Sequence, residues 1–222
     1  MANAARFLTQ DDIERLEAAI ADAERRTGAE IVVAIATESG RYDRAESIVG
    51  LLGALAGLVA ADAAAVFGAG AGDWDVSAAP LASQLFAAAL GFAAGTLAGS
   101  HWHALRRLLT GRAELAAEPE RAASHVFHWA GLGETSNRGG VLIYLSLFER
   151  RVIVRAEAAA RAAAGDDLVA RVCAAAETAL RDGQRRDALL GAVATLAEQL
   201  ANKFPAPADN PDEVVRRVVV IE

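Results

Sequence analysis

Three groups of side chains in this sequence are equipped for chemistry, and each carries a plainer alternative. Six carboxylates (Glu157, Asp166, Asp167, Asp209, Asp212 and Glu213) fall in the C-terminal third. Calcium or another divalent metal needs several oxygen ligands converging on one point, and these are the candidates to supply them. Asp166 and Asp167 follow Gly165, where aspartate also serves as a helix cap. Arg138 lies in the turn Thr135-Ser136-Asn137-Arg138-Gly139-Gly140. There it is a candidate anion-binding guanidinium, with Thr135 and backbone amides beside it. The alternative is an arginine that pins the loop to a carboxylate such as Glu24 or Glu30. His125 and His128 sit one helical turn apart, and His101 and His103 flank Trp102. No carboxylate stands at the spacing that would complete a histidine metal site. Cys173 lies among small apolar residues, the setting of a buried inert thiol. Ser146 sits inside a strand without a G-x-S-x-G elbow, and no G-x-x-x-x-G-K-S phosphate loop occurs.

The elements that must position these residues begin with composition. Of 222 residues, 54% are hydrophobic and 23% charged, which allows a sizeable core and excludes global disorder. Twenty-two basic residues against 29 acidic ones give a net charge of −7, which argues against nucleic acid as the main partner. A single cysteine excludes an intrachain disulfide. No apolar run follows a basic start at the N-terminus, so a secretory signal is not expected there.

Two stretches change the architecture. Ile48 to Gly68 holds one charge, Asp62, and Leu81 to Gly99 holds none. A membrane-spanning helix needs about 20 largely apolar residues, so both stretches qualify. The intervening loop carries Asp73, Trp74, Asp75 and Pro80, the make-up of a polar turn with an interfacial aromatic. Arg41 and Arg44 precede the first span, and Arg106, Arg107 and Arg112 follow the second. By the positive-inside rule both termini are cytoplasmic and the loop lies outside. Gly53 and Gly57, then Gly91, Gly95 and Gly99, repeat at four-residue spacing, which places them on one helix face for close packing. Packing of the two spans on each other is the favoured use, with a homodimer as the alternative. Asp62 is expected to be protonated or to reach the interface by snorkelling, or else to serve as a buried functional carboxylate.

Residues 1–47 and 100–222 then form one discontinuous domain, since 47 residues alone bury too little. Thr9 or Asp11 caps a helix to about Arg26, ended by Gly28, and Glu30 to Ala36 reads as a buried strand. Trp102 to Leu109 continues helically, and another helix starts near Pro119 and runs to Trp129. Val141 to Leu147 and Arg151 to Ala156 form a tight β-hairpin. Helices over 158–180, broken at Gly165, and 187–202 lead to a last strand at Val214 to Ile221. This alternation implies a small sheet covered on both faces.

Three blocks of this chain resemble the TPM-domain family. The first is Phe7-Leu8-Thr9 and Ile13, then Glu24, Thr27, Gly28, Glu30 and Ile31. The second is Phe127, Gly131, Leu132, Thr135, Asn137, Arg138 and Gly140 to Arg150. The third is Gly183, Gly191, Leu200 and Phe204-Pro205, ending at Asp209 to Glu213. The hairpin insertion is similar to that of a membrane-bound bacterial branch. The resemblance implies an α/β/α sandwich with a small mixed sheet, interrupted by a two-helix transmembrane hairpin. It also places an acidic site after the second strand of the β-hairpin, where the family has Asp-x-Gly and this chain has Glu157-Ala158-Ala159. Alanine forbids the backbone geometry that glycine allows, and glutamate lengthens the ligand arm.

Two functions follow as expectations. The first is a membrane-anchored module, on the cytoplasmic face of a bacterial inner membrane, that binds or assists a membrane protein complex. The alternative is a divalent-metal-dependent acid phosphatase. A hairpin that is itself the functional part, with the soluble domain as a plug, is a third.

Overall fold

Local sequence sets the first helix without ambiguity. The computed structural model describes residues 3–68, 78–209, 213, 214 and 216–222. In it, Thr9 Oγ1 accepts from the Asp12 amide while the Asp12 carboxylate accepts from the Thr9 amide, a reciprocal cap that starts α1 at Gln10–Arg26. Leu16, Ile20 and Ala23 bury its inner face. Gly28 does not end this helix. Thr27 does, and the Gly28 amide donates to the Phe204 carbonyl at 3.0 Å. A Cβ at position 28 would meet the Phe204 ring at 3.1 Å, so this glycine serves a close approach rather than a left-handed cap.

β1 (Glu30–Ala36) is buried at every residue, as its unbroken apolar run requires. It lies inside a four-stranded sheet of order β3-β2-β1-β4. β1 pairs in parallel with β2 (Gly140–Ser146) and with β4 (Val218–Ile221), while β2 pairs antiparallel with β3 (Arg151–Ala156). The last strand is therefore shorter than the apolar run at 214–221 suggests. Alternate residues serve opposite faces. Ile31, Val33, Ile35, Val141, Ile143 and Val154 pack with residues of α1, α6 (Ala158–Ala164), α7 (Asp166–Arg181) and α8 (Arg185–Lys203). Val32, Ala34, Leu142, Tyr144 and Ile153 pack with Ala123, Val126 and Phe127 of α5 (Arg112–Trp129). The result is an α/β/α sandwich around a small mixed sheet. α5 begins seven residues before Pro119, because residues 112–118 are strong helix formers and override the proline's preference for a first turn.

The chain divides into two compact units, Met1–Gly40 with Leu115–Glu222, and Arg41–Glu114. The second is wider than the expected 48–99 because α2 starts at Asp43 and the short α4 (His103–Leu109) clusters with it. Its two main helices, α2 (Asp43–Gly68) and α3 (Leu81–His101), are long and apolar enough to cross a membrane, and almost none of either is buried. Their glycines face each other. A Cβ on Gly53 would fall on the Gly91 carbonyl, and one on Gly91 would fall on the Gly53 carbonyl. Gly57 meets Ala87 in the same way, and a Cβ on Gly95 would stand 3.1 Å from the Gly50 Cα. Gly99 approaches Val49. The small-residue seam is thus used within the helix pair. Asp62 Oδ1 accepts from the Ala79 amide at 3.2 Å and from Gln84 Nε2 at 3.0 Å, which ties α2 to the start of α3. Trp74 and the rest of 69–77 lie outside the described residues. Near the other end of this unit, the Arg106 guanidinium lies 3.5 Å from Glu46 and over the Tyr42 ring.

Candidate functional site

The turn between α5 and β2 is held from three sides. Thr135 is buried, donates to Glu157 Oε2 at 2.9 Å, and accepts the Gly139 amide at 2.9 Å. The Arg138 amide donates to the Thr135 carbonyl, and the Arg138 carbonyl accepts from Ala160. Glu157 stands at the N-cap position of α6, and its amide donates to the Gly140 carbonyl at 2.8 Å. Ser136 donates through both its amide and its hydroxyl to Glu213. Both glycines of the turn are close approaches. A Cβ at Gly139 would fall on the Gly28 carbonyl, and one at Gly140 would fall on the Leu132 carbonyl.

This geometry redistributes the expected roles. Thr135 donates to a carboxylate, so its hydroxyl is spent on Glu157 instead of a bound anion. Arg138 is exposed with φ 53°, and among the described residues its guanidinium pins neither Glu24 nor Glu30. Glu24 is instead paired with Arg217, from the residue before β4: Arg217 Nε lies 2.7 Å from Glu24 Oε2, while Glu24 Oε1 accepts from the Ile31 amide. Glu213, an element of the site that spacing alone could not join to Ser136, sits 77 positions away in sequence.

The Ser136 hydroxyl and amide hold the Glu213 carboxyl below the ordinary glutamate range. A depressed carboxyl stabilises the fold most above its unfolded pKa and loses that contribution as pH falls through its folded one. The 136–213 tie is therefore expected to be complete at neutral pH and to open below the ordinary glutamate range. Protection of the Ser136 amide from hydrogen exchange, taken relative to the intrinsic rate at each pH, should fall on acidification of the native chain. In Glu213→Gln it should be low already and flat with pH.

Among the described residues the candidate metal ligands do not converge. Asp166 pairs with Arg161 at 2.8 Å, and Asp167 and Asp209 are exposed. Asp166 and Asp167 occupy the first turn of α7, whose N-cap is Gly165 at φ 81°, so they follow the cap rather than form it. Asp212 lies outside the described residues. Among the described residues no group of three or more histidine, cysteine or acidic side chains is placed to hold a metal ion. The described residues alone therefore do not make a calcium-type oxygen cage. His128 Nδ1 lies 2.7 Å from the Ser124 carbonyl and His101 Nδ1 2.8 Å from the Leu97 carbonyl, both within their own helices. Cys173 is half-buried at the edge of the core rather than buried in it, and burial pushes its thiol up from its ordinary value.

A second polar cluster, not visible as a motif, lies at the carboxyl ends of β1 and β2. Ser39 Oγ donates to Ser146 Oγ at 2.8 Å, and Ser146 Oγ donates to Glu149 Oε2. Since its one proton goes to Ser146, Ser39 Oγ accepts from the Tyr144 hydroxyl at 3.0 Å. The Ser39 amide closes the ring on Glu149 Oε1 at 2.9 Å. Tyr144, Ser146 and Glu149 are all nearly inaccessible to solvent. Burial raises the Tyr144 phenol above its ordinary value, and the Glu149 charge pushes the same way. The cluster orders its protons in one direction, toward the Glu149 carboxylate. Period-two spacing of Tyr144 and Ser146 on one strand face was the available signal.

Comparison with known proteins shows what these features are similar to. No curated protein sequence matches the chain. The structure is similar to the NMR structure of BA42 protein from the psychrophilic bacterium Bizionia argentinensis, with a TM-score of 0.58 and 16% identity over 99% of each chain. At that identity the likeness is one of fold. Residues 108–199, which include the Thr135 turn, both strands of the β-hairpin and Glu157, match the family model of the TPM domain. Over that stretch the chain is similar to the TPM domain.

Proposed function

We propose that this chain is a membrane-anchored TPM domain that works as a non-catalytic binding or accessory module for a membrane protein complex. The observation that carries the module reading is the direction of the hydroxyl groups. Thr135, Ser136 and Ser146 all donate to carboxylates of the same domain, Glu157, Glu213 and Glu149. Such groups are spent on holding the fold and have no free proton to exchange with a substrate. Among the described residues no convergent oxygen cage supports the family's phosphatase chemistry. Full-length protein in detergent is expected to release no phosphate from an aryl phosphate, with or without calcium, magnesium or manganese. Release that disappears in Glu157→Ala would replace this reading with an enzymatic one.

The anchor reading rests on the outer surface of α2 and α3. Val59, Phe67, Leu81 and Phe86 are each at least 69% exposed. Soluble proteins rarely leave so large an apolar surface in water. The 21 residues of α3 span about 31 Å, close to the hydrocarbon thickness of a bilayer. The five arginines flanking the spans put both termini on the cytoplasmic side of a bacterial inner membrane. In a Cys173→Ala background, Leu81→Cys should react with an impermeant maleimide in intact spheroplasts, whereas Asn3→Cys should react only after lysis. The reverse order would place the TPM domain outside.

A further inference from the structure

A cavity of about 340 Å³ opens at the carboxyl end of β2, bordered by α7, α8 and the β2–β3 turn. It lies at the end of β2 opposite the Thr135 turn, on the strand end where open α/β sheets receive ligands. Three arginines line it: Arg150 from the turn, Arg181 from α7 and Arg185 from α8. None of them forms an ion pair with a described residue. The carboxylate that borders the cavity, Glu177, is engaged from the β3 side, accepting the Val152 amide at 3.1 Å and standing 3.5 Å from Arg151 Nε. Positive charge therefore exceeds negative charge around the space.

The rest of the lining is apolar except for Ser146, whose hydroxyl donates to Glu149. Phe7, Leu147 and Leu180 border the same cavity, and the Arg185 guanidinium stands 5.3 Å from the Phe7 ring centroid. That stacking restricts one guanidinium without spending its hydrogen-bond donors. Arg150 has φ 57°, a left-handed backbone that residues with a Cβ rarely adopt. Glycine would serve the turn with less strain, and strain of this kind collects at ligand sites.

We infer that this cavity binds a doubly charged oxyanion carried on a short apolar body, the head held by Arg150, Arg181 and Arg185 and the body against Phe7, Leu147 and Leu180. The charge sets the head, because clustered guanidinium forks match phosphate-type oxygens two at a time. The apolar wall sets the body. This goes beyond the module reading and does not depend on it, since binding here involves no bond cleavage.

The test uses full-length protein in a nonionic detergent and hexylphosphonate, a dianion that cannot be hydrolysed. Calorimetry should show binding, with inorganic phosphate and hexanol each much weaker. Arg150→Gln, Arg181→Gln and Arg185→Gln should each weaken it by about tenfold or more, as expected for a lost charge-assisted hydrogen bond. Arg150→Gly separates binding from folding: it should melt no lower than the native chain yet bind as poorly as Arg150→Gln. Bilayers of phosphatidylcholine with phosphatidic acid identify the source of the head. Arginine-dependent binding to them that exceeds binding of the soluble phosphonate assigns a lipid, and the reverse assigns a soluble ligand; both uphold the cavity. Absence of hexylphosphonate binding, or binding indifferent to all three arginines, overturns the inference. Inorganic phosphate binding as tightly as hexylphosphonate overturns the apolar half of it.

Discussion

Replacing Glu149 by alanine is expected to destabilise the α/β domain by about 3 kcal/mol, because a buried donor and a half-buried one lose their acceptor together. The Ser39 amide and the Ser146 hydroxyl both end on this carboxylate, and Ser146 is fully buried. The Ser146 hydroxyl, inaccessible to solvent in the native fold, is left without its acceptor and bears most of the desolvation cost. For a chain of this size the melting temperature should fall by roughly 6–12 °C. Glu149→Gln should recover little, since the side-chain amide presents hydrogens where one of the two donors already points. Tyr144→Phe removes only the outermost donor of the ring and should cost about 1 kcal/mol. Denaturation of the three variants, read by circular dichroism, checks the order. Equal losses for Tyr144→Phe and Glu149→Ala would mean that the ring is not organised around the carboxylate.

The same cluster marks where sequence reasoning stopped. β1 is legible because seven consecutive buried residues leave only one reading, and the Thr9 cap is legible because its partner stands three residues on. β4 is not. Its apolar run begins at Val214, but pairing to β1 begins only at Val218, and backbone pairing rather than hydropathy decides where a strand starts. The Thr135 turn was found by its glycines, yet its partners were not. Glu213 reaches it from 77 residues away, and the carboxylate–arginine pair at Glu24 forms with Arg217 across 193 residues. A charged side chain in a turn says that a partner is needed without saying which one. Period and spacing are local quantities, whereas a site is a meeting of distant strand ends.

The hairpin seam offers the sharpest steric test. Gly91→Val is expected to destabilise the α2–α3 pair by about 3 kcal/mol or more, at or above the upper end for overpacking, because the obstacle is the Gly53 backbone. A side chain in the way can change rotamer, but a helical carbonyl cannot move without breaking its own helix. Gly53→Val should behave alike, since the two glycines each approach the other's carbonyl. Gly68→Val is the control. It lies in the same helix as Gly53 with nothing within 4 Å, and its effect should stay within about 0.5 kcal/mol. Helix propensity favours valine over glycine at all three positions, so any loss reports packing alone. The measurement is thermal melting of the full chain in detergent, alongside its oligomeric state by light scattering. Loss of a dimer in Gly91→Val without a lowered melting temperature would assign the glycine face to self-association. A lowered melting temperature at an unchanged oligomeric state places the seam inside the hairpin, where close backbone contact takes over the work that hydrophobic burial does in water.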